Sequence, residues 1–209
     1  LIFPLLTISS FSFDVEPSGS RSVIQPRQWQ THLIQLLRRR LDGEVLSEQD
    51  VLVFAGPGAG KTLGALLAFR SMRQEQRLQR FLVFCHRTSI LEQWQRAAAR
   101  LGLELVNWPC EPEALSRADG LLLTYQCAAR QPQQLATALT PWPATSLLAI
   151  ADEAHHLGVD PDDPGAAAWS QAFEEQTSHC RLRLGLTGTP FRADNLGFCA
   201  ARRIRTVQN

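Results

Sequence analysis

The sequence predicts an α/β domain: a mostly parallel β-sheet with helices on both faces. Short, wholly apolar runs recur along the chain, each of a length suited to a strand buried on both sides. Between them lie segments with apolar residues at intervals of three and four, the alternation that a parallel sheet and its crossover helices produce. The 209 residues are 44% hydrophobic and 20% charged, an ordinary globular composition sufficient for one generous domain.

Taken in order, residues 1–13 are apolar and rich in Ser and Thr, with no basic segment ahead of them, so they lack the layout of a signal peptide. Pro17, Ser18, Gly19 and Ser20 read as a linker, and residues 1–20 are expected to be a poorly ordered extension. After Pro26, Trp29, Leu33, Leu36, Leu37 and Leu41 recur with helical spacing. A strand is expected at 51–54, then a glycine loop and a helix over 61–79. A second strand at 81–84 precedes a helix lined by Ile90, Leu91, Trp94, Ala98 and Leu101. Further strands are expected at 121–123, 147–150 and 182–186, with a helix over 127–139. The domain is expected to occupy residues 21–194, and 195–209 to begin a connection to a second domain.

Composition narrows the function. No apolar run approaches the roughly 20 residues of a membrane-spanning helix. The five cysteines (Cys85, Cys110, Cys127, Cys180 and Cys199) are scattered and odd in number, which favours a reducing, cytoplasmic setting over a disulfide scaffold or zinc ribbon. The net charge of +1 is unevenly spread: residues 1–20 carry −2, residues 21–103 carry +7, 104–175 carry −9 and 176–209 carry +5. Basic flanks around an acidic centre are compatible with a nucleic-acid face beside a metal-binding one. Of the 21 basic residues, Lys61 is the one lysine.

In parallel sheets, ligands bind beyond the carboxyl ends of the strands. The first strand runs into Ala55, Gly56, Pro57, Gly58, Ala59, Gly60, Lys61 and Thr62. Small residues let main-chain N–H groups close around phosphate oxygens, and the following helix offers its positive end. Lys61 would reach the β- and γ-phosphates and Thr62 would offer its hydroxyl to Mg²⁺. Ala55 stands where the strict pattern has Gly. A compact ammonium suits such a loop, which gives the solitary lysine a purpose. The strand at 147–150 leads into Asp152, Glu153, Ala154, His155 and His156. One carboxylate there can hold Mg²⁺ through water, and its neighbour can orient the attacking water. Zinc is disfavoured, because no further His or Cys stands at ligand spacing from the histidines.

These residues resemble the first RecA-like domain of superfamily-two DEAD/DEAH-box helicases and translocases. Residues 55–62 match motif I and residues 152–155 motif II, while Leu186, Thr187, Gly188, Thr189 and Pro190 resemble motif III. Pro26, Arg27, Gln28, Trp29 and Gln30 are similar to the family's adenine-reading element, with Gln30 in the adenine-contacting place. Cys85, His86 and Arg87, with Leu91, Gln93 and Trp94, resemble motif Ia, and Thr124, Tyr125 and Gln126 the next strand-end motif.

The resemblance covers about residues 25–194 and implies a RecA-like P-loop fold that binds ATP and Mg²⁺ and couples hydrolysis to movement on nucleic acid, DNA rather than RNA. On that basis Gln30, Gly56, Gly58, Ala59, Gly60, Lys61 and Thr62 bind the nucleotide, and Thr62 and Asp152 hold the metal. Lys61 and Glu153 act in catalysis, His155, Thr187 and Thr189 couple the nucleotide site to motif III, and His86, Arg87, Gln93 and Thr124 meet nucleic acid. The family's arginine fingers come from a second RecA-like domain, for which residues 195–209 are too few. The sequence is therefore expected to be part of a longer motor, and the 209-residue chain to bind Mg·ATP but hydrolyse it slowly. Two other readings stay open: the motor portion of a restriction enzyme, and an ATP-dependent nucleic-acid-binding module without turnover. A small-molecule kinase would leave Asp-Glu-Ala-His and Thr-Gly-Thr-Pro without a role.

Overall fold

A computed structural model describes residues 24–43, 49–157 and 164–189, with the side chains of 164–166 left aside. The expected extension at 1–20, Pro190 and the expected connection at 195–209 lie outside the described residues. Among the described residues six strands form one sheet in the order β1-β6-β5-β2-β4-β3. They are β1 (Asp50–Phe54), β2 (Arg80–Cys85), β3 (Leu105–Asn107), β4 (Gly120–Thr124), β5 (Leu147–Asp152) and β6 (Leu182–Thr187). Every pairing is parallel, as the apolar runs predict.

The helices divide between the two faces. On one lie α1 (Gln28–Asp42), α2 (Lys61–Gln74) and α3 (Leu91–Ala99). They bury Leu37, Leu66, Phe69 and Trp94 against Phe81, Val83, Leu148 and Ile150. On the other lie α4 (Pro112–Arg117), α5 (Tyr125–Arg130), α6 (Pro132–Leu139) and α7 (Pro164–Thr177). These bury Leu115, Tyr125, Leu135 and Phe173 against Leu82, Phe84, Leu121 and Ala149. In β2, β4 and β5 successive residues thus feed opposite cores, which is why these strands read as unbroken apolar runs.

Several elements differ from the sequence reading. α2 stops at Gln74 and not at 79: Gln76 turns left-handed (φ 58°), and Arg77 N–H reaches back to the Met72 carbonyl. That arrangement satisfies the last carbonyls and turns Leu78 into the core. The single helix expected over 127–139 is two, α5 and α6, because Pro132 lacks an N–H and opens a new helix. The structure adds β3, α4 and α7, three elements absent from that reading.

Register sets the strand ends level. Phe54 lies opposite Thr187, Asp152 opposite Leu186, and Cys85 opposite Thr124. Because β6 and β5 separate β1 from β2, the chain leaves β1 and β5 on a common carboxyl rim, where the order of strands reverses.

Candidate nucleotide site

The loop leaving β1 begins as Ala55 N–H donates to the Thr187 carbonyl of β6 (3.0 Å). Gly58 and Gly60 take φ of 72° and 83°, left-handed values that a side chain tolerates poorly. Gly60 sits at the N-cap of α2, so the first turn of a 14-residue helix opens onto the loop. At Gly56 and Gly58 the space a Cβ would enter is open to 4 Å. The result is a small concavity of main chain at a helix N-terminus, the geometry that receives phosphate.

α1 braces this loop from behind. Arg27 Nη1 donates to the carbonyls of Gly58 (3.3 Å) and Ala59 (3.0 Å), and Trp29 Nε1 donates to Ala59 (3.2 Å). Gln30 is 1% exposed. Its Nε2 donates to the Gly60 carbonyl (3.0 Å), and its Oε1 accepts from Arg27 N–H (2.9 Å). The sequence reading placed Gln30 near the adenine; here its amide ties the start of α1 to the phosphate loop. The bracing by Arg27 and Trp29 had no sequence signal beyond their place beside Gln30.

Lys61 Nζ donates to the Ala55 carbonyl (3.1 Å) and lies 3.8 Å from Glu153 Oε1. A Cβ on Gly188 would come within 3.1 Å of that ammonium, so glycine there keeps room for the lysine head. Glu153, itself left-handed (φ 49°), directs Oε2 toward His155 Nδ1 (3.3 Å) and accepts from Gly188 N–H (3.3 Å). His155 Nδ1 is also 3.1 Å from Thr187 Oγ1, and that hydroxyl accepts from Thr189 N–H (3.3 Å). The structure therefore brings Lys61, Glu153, His155, Thr187 and Thr189 into one contiguous line of contacts.

Asp152 is 5% exposed. Burial raises its pKa, opposed by the hydrogen bond from Trp94. Trp94 Nε1 donates to Oδ2 (2.8 Å), Glu153 N–H donates to Oδ1 (3.1 Å), and the Tyr125 hydroxyl donates to the Asp152 carbonyl (2.9 Å). Burial also holds the Tyr125 phenol well above its usual range, so it stays a donor. Sequence reasoning placed Trp94 on a helix face and missed its bond to Asp152, because that pairing depends on β2 and β5 being neighbours.

The nucleic-acid candidates divide. Arg87 and Gln93 are exposed at the rim. His86 is half-buried and stacks on His156 (4.3 Å between ring centres), which in turn lies 4.2 Å from His155. Burial lowers the pKa of both His86 and His155. Thr124 caps α5, its hydroxyl accepting from Cys127 N–H (3.1 Å). Among the described residues no cluster of three His, Cys, Asp or Glu is placed to hold a metal ion. Cys85, Cys110, Cys127 and Cys180 are unpaired thiols, and burial pushes Cys180 up to about 12. No helix among the described residues is long and apolar enough to cross a membrane.

The residues present fit a nucleotide with Mg²⁺: an open main-chain cradle, a mostly buried ammonium beside it, and a fixed carboxylate at the adjoining rim. The family described as "Type III restriction enzyme, res subunit" matches residues 23–192. The uncharacterized protein ML1624 of Mycobacterium leprae is 35% identical over 162 residues, covering 76% of this chain and 26% of that protein. The uncharacterized protein Rv2917 of Mycobacterium tuberculosis is 31% identical over 195 residues, 87% of this chain and 29% of that one. The chain thus spans between a quarter and a third of the length of these relatives. In fold, it is similar to the SWI2/SNF2 ATPase core of Sulfolobus solfataricus, solved in complex with dsDNA (TM-score 0.66, 21% identity, 93% of this chain and 36% of that one). It also resembles the Hef helicase domain of Pyrococcus furiosus (TM-score 0.58, 21% identity, 80% of this chain and 34% of that one).

Proposed function

The chain belongs to the type III restriction enzyme res-subunit family, carrying a superfamily-two helicase RecA-like domain, and from that premise we propose that it binds Mg·ATP at the rim and couples hydrolysis to movement on nucleic acid. The observation that carries this reading is the line from Lys61 through Glu153 and His155 to Thr187. A phosphate-loop lysine, a carboxylate that can orient water and a hydroxyl on a neighbouring strand are there in contact.

Bound Mg²⁺ would neutralise charge on the β- and γ-phosphates. Thr62, in the first turn of α2, and Asp152, at the end of β5, are the residues that would hold it. The loop amides and Lys61 would receive the phosphates, with Lys61 turning from the Ala55 carbonyl toward them. Glu153 would hold the attacking water. Phosphoryl transfer needs little more of a protein than such positioning and charge stabilisation. His155 touches both Glu153 and Thr187, so a change at the γ-phosphate position would be felt at Thr187 and Thr189. Arg87 and Gln93, exposed on the same rim, would meet the nucleic-acid backbone, DNA rather than RNA.

The test is nucleic-acid affinity with and without a nonhydrolysable ATP analogue and Mg²⁺, using labelled DNA and RNA duplexes. The reading expects DNA affinity to change severalfold with nucleotide and DNA to be preferred; affinity indifferent to nucleotide would contradict it. A second reading, the motor portion of a restriction enzyme, is favoured by the family's own description. A nuclease domain elsewhere in the same polypeptide would decide for it.

A further inference from the structure

Asp152 is the carboxylate that the reading above assigns to Mg²⁺, and the fold holds it from two sides. Its carboxylate is almost wholly buried, and both oxygens already accept hydrogen bonds from within the chain. One donor, Glu153 N–H, is local and follows from the turn after β5. The other is the indole of Trp94, 58 residues earlier in sequence and on α3. That ring is fully buried in the core that α1, α2 and α3 share with the sheet, which fixes the direction of its N–H.

We propose that Trp94 is a positioning residue for the metal-holding carboxylate of Asp152. The inference rests on the Mg·ATP reading above. Mg²⁺ demands near-octahedral ligand placement, so a ligand free to rotate binds it poorly. A carboxylate pinned through one oxygen by a rigid donor presents the rest of its lone pairs in one direction. Partners of this kind typically govern metal affinity about 10- to 100-fold without touching the metal. The competing account is that a buried indole simply needs an acceptor. On that account Trp94 matters to the core alone, and the metal requirement should not depend on it.

The two accounts separate in Trp94→Phe, which keeps a buried aromatic ring and removes the donor. Fluorescent-ATP binding is titrated with Mg²⁺, and again in EDTA, for wild type, Trp94→Phe, Asp152→Asn and the double variant. The proposal expects Trp94→Phe to raise the Mg²⁺ concentration for half-maximal binding by about tenfold, with EDTA affinity unchanged. It expects no added effect of Trp94→Phe in the Asp152→Asn background. A folded Trp94→Phe with the wild-type Mg²⁺ requirement, or with equal losses in Mg²⁺ and in EDTA, would overturn it. If the wild type itself shows no Mg²⁺-dependent nucleotide binding, the functional reading fails instead, which keeps the two outcomes apart. Should Trp94→Phe not fold, the indole N–H of Trp94 in the ¹⁵N-labelled wild type carries the test. Its resonance, assigned by elimination from Phe substitutions of Trp29, Trp108, Trp142 and Trp169 one at a time, should shift when Mg²⁺ is added to nucleotide-saturated protein. A stationary resonance would refute the link.

Discussion

Gly64, in the first turns of α2, shows how one missing side chain secures the phosphate loop. A Cβ there would lie 2.6 Å from the Trp29 ring and 3.2 Å from Gln30 Cγ. Helix propensity alone favours Ala over Gly by about 1 kcal/mol, whereas forcing a methyl into a packed contact costs typically about 1–3 kcal/mol. Gly64→Ala should therefore lower stability by about 1 kcal/mol in urea unfolding, and weaken nucleotide binding as Trp29 and Gln30 draw back from Ala59 and Gly60. Equal or greater stability would show that the Trp29 contact is soft. The sequence made the loop itself legible, because glycines, Lys61 and Thr62 follow a strand at fixed spacing. The bracing was not legible: Gln30 reads as a nucleotide contact by its motif, and only the three-dimensional approach of α1 reveals its bonds to Gly60 and Arg27.

Among elements, the five longer strands were readable from apolar runs, and β3 was not, since Leu105–Asn107 is three residues with a single buried position. α7 escaped for a different reason: its small residues and scattered Trp169 and Phe173 give no strong helical period. What locks α7 and the sheet edge together is an ion cluster that leaves no pattern in sequence. Arg183 of β6 lies opposite Asp50 of β1, bonds it through Nε (2.6 Å) and Nη2 (3.0 Å), and reaches Glu174 of α7 (2.5 Å). Arg183 is 7% exposed, and removing one partner of a buried pair costs about 3–5 kcal/mol. Arg183→Ala should approach the low end of that range in chemical denaturation, and a loss under about 1 kcal/mol would mean the cluster is well solvated.

The stacked histidines at the ends of β2 and β5 give a pH dependence. Burial lowers the pKa of His86 and His155, so the unfolded chain takes up protons first as pH falls below about 6.5. Their contribution to stability is present above that value and is lost as pH falls through the folded pKa values. Asp152, raised by burial, acts in the opposite sense: its buried charge costs stability above its folded pKa, and acid relieves that cost. The urea midpoint should be lower at about pH 5.5 than at about pH 7.5, and His86→Asn should shrink the difference. An unchanged difference would assign the effect to other groups.

For the whole molecule, the parallel sheet with helices on both faces was legible because the central strands β2, β4 and β5 feed two cores and so carry no polar face. The order of strands was not legible, and it is the order that makes the site: β6 and β5 lie between β1 and β2, which brings the phosphate loop, Glu153 and Thr187 to one rim. The central claim is that this rim binds Mg·nucleotide through Lys61. Fluorescent-ATP titration of wild type and Lys61→Ala, each with and without Mg²⁺, tests it most directly. The account predicts Mg²⁺-dependent saturable binding by the wild type and none by Lys61→Ala. Binding by Lys61→Ala with wild-type affinity would contradict it.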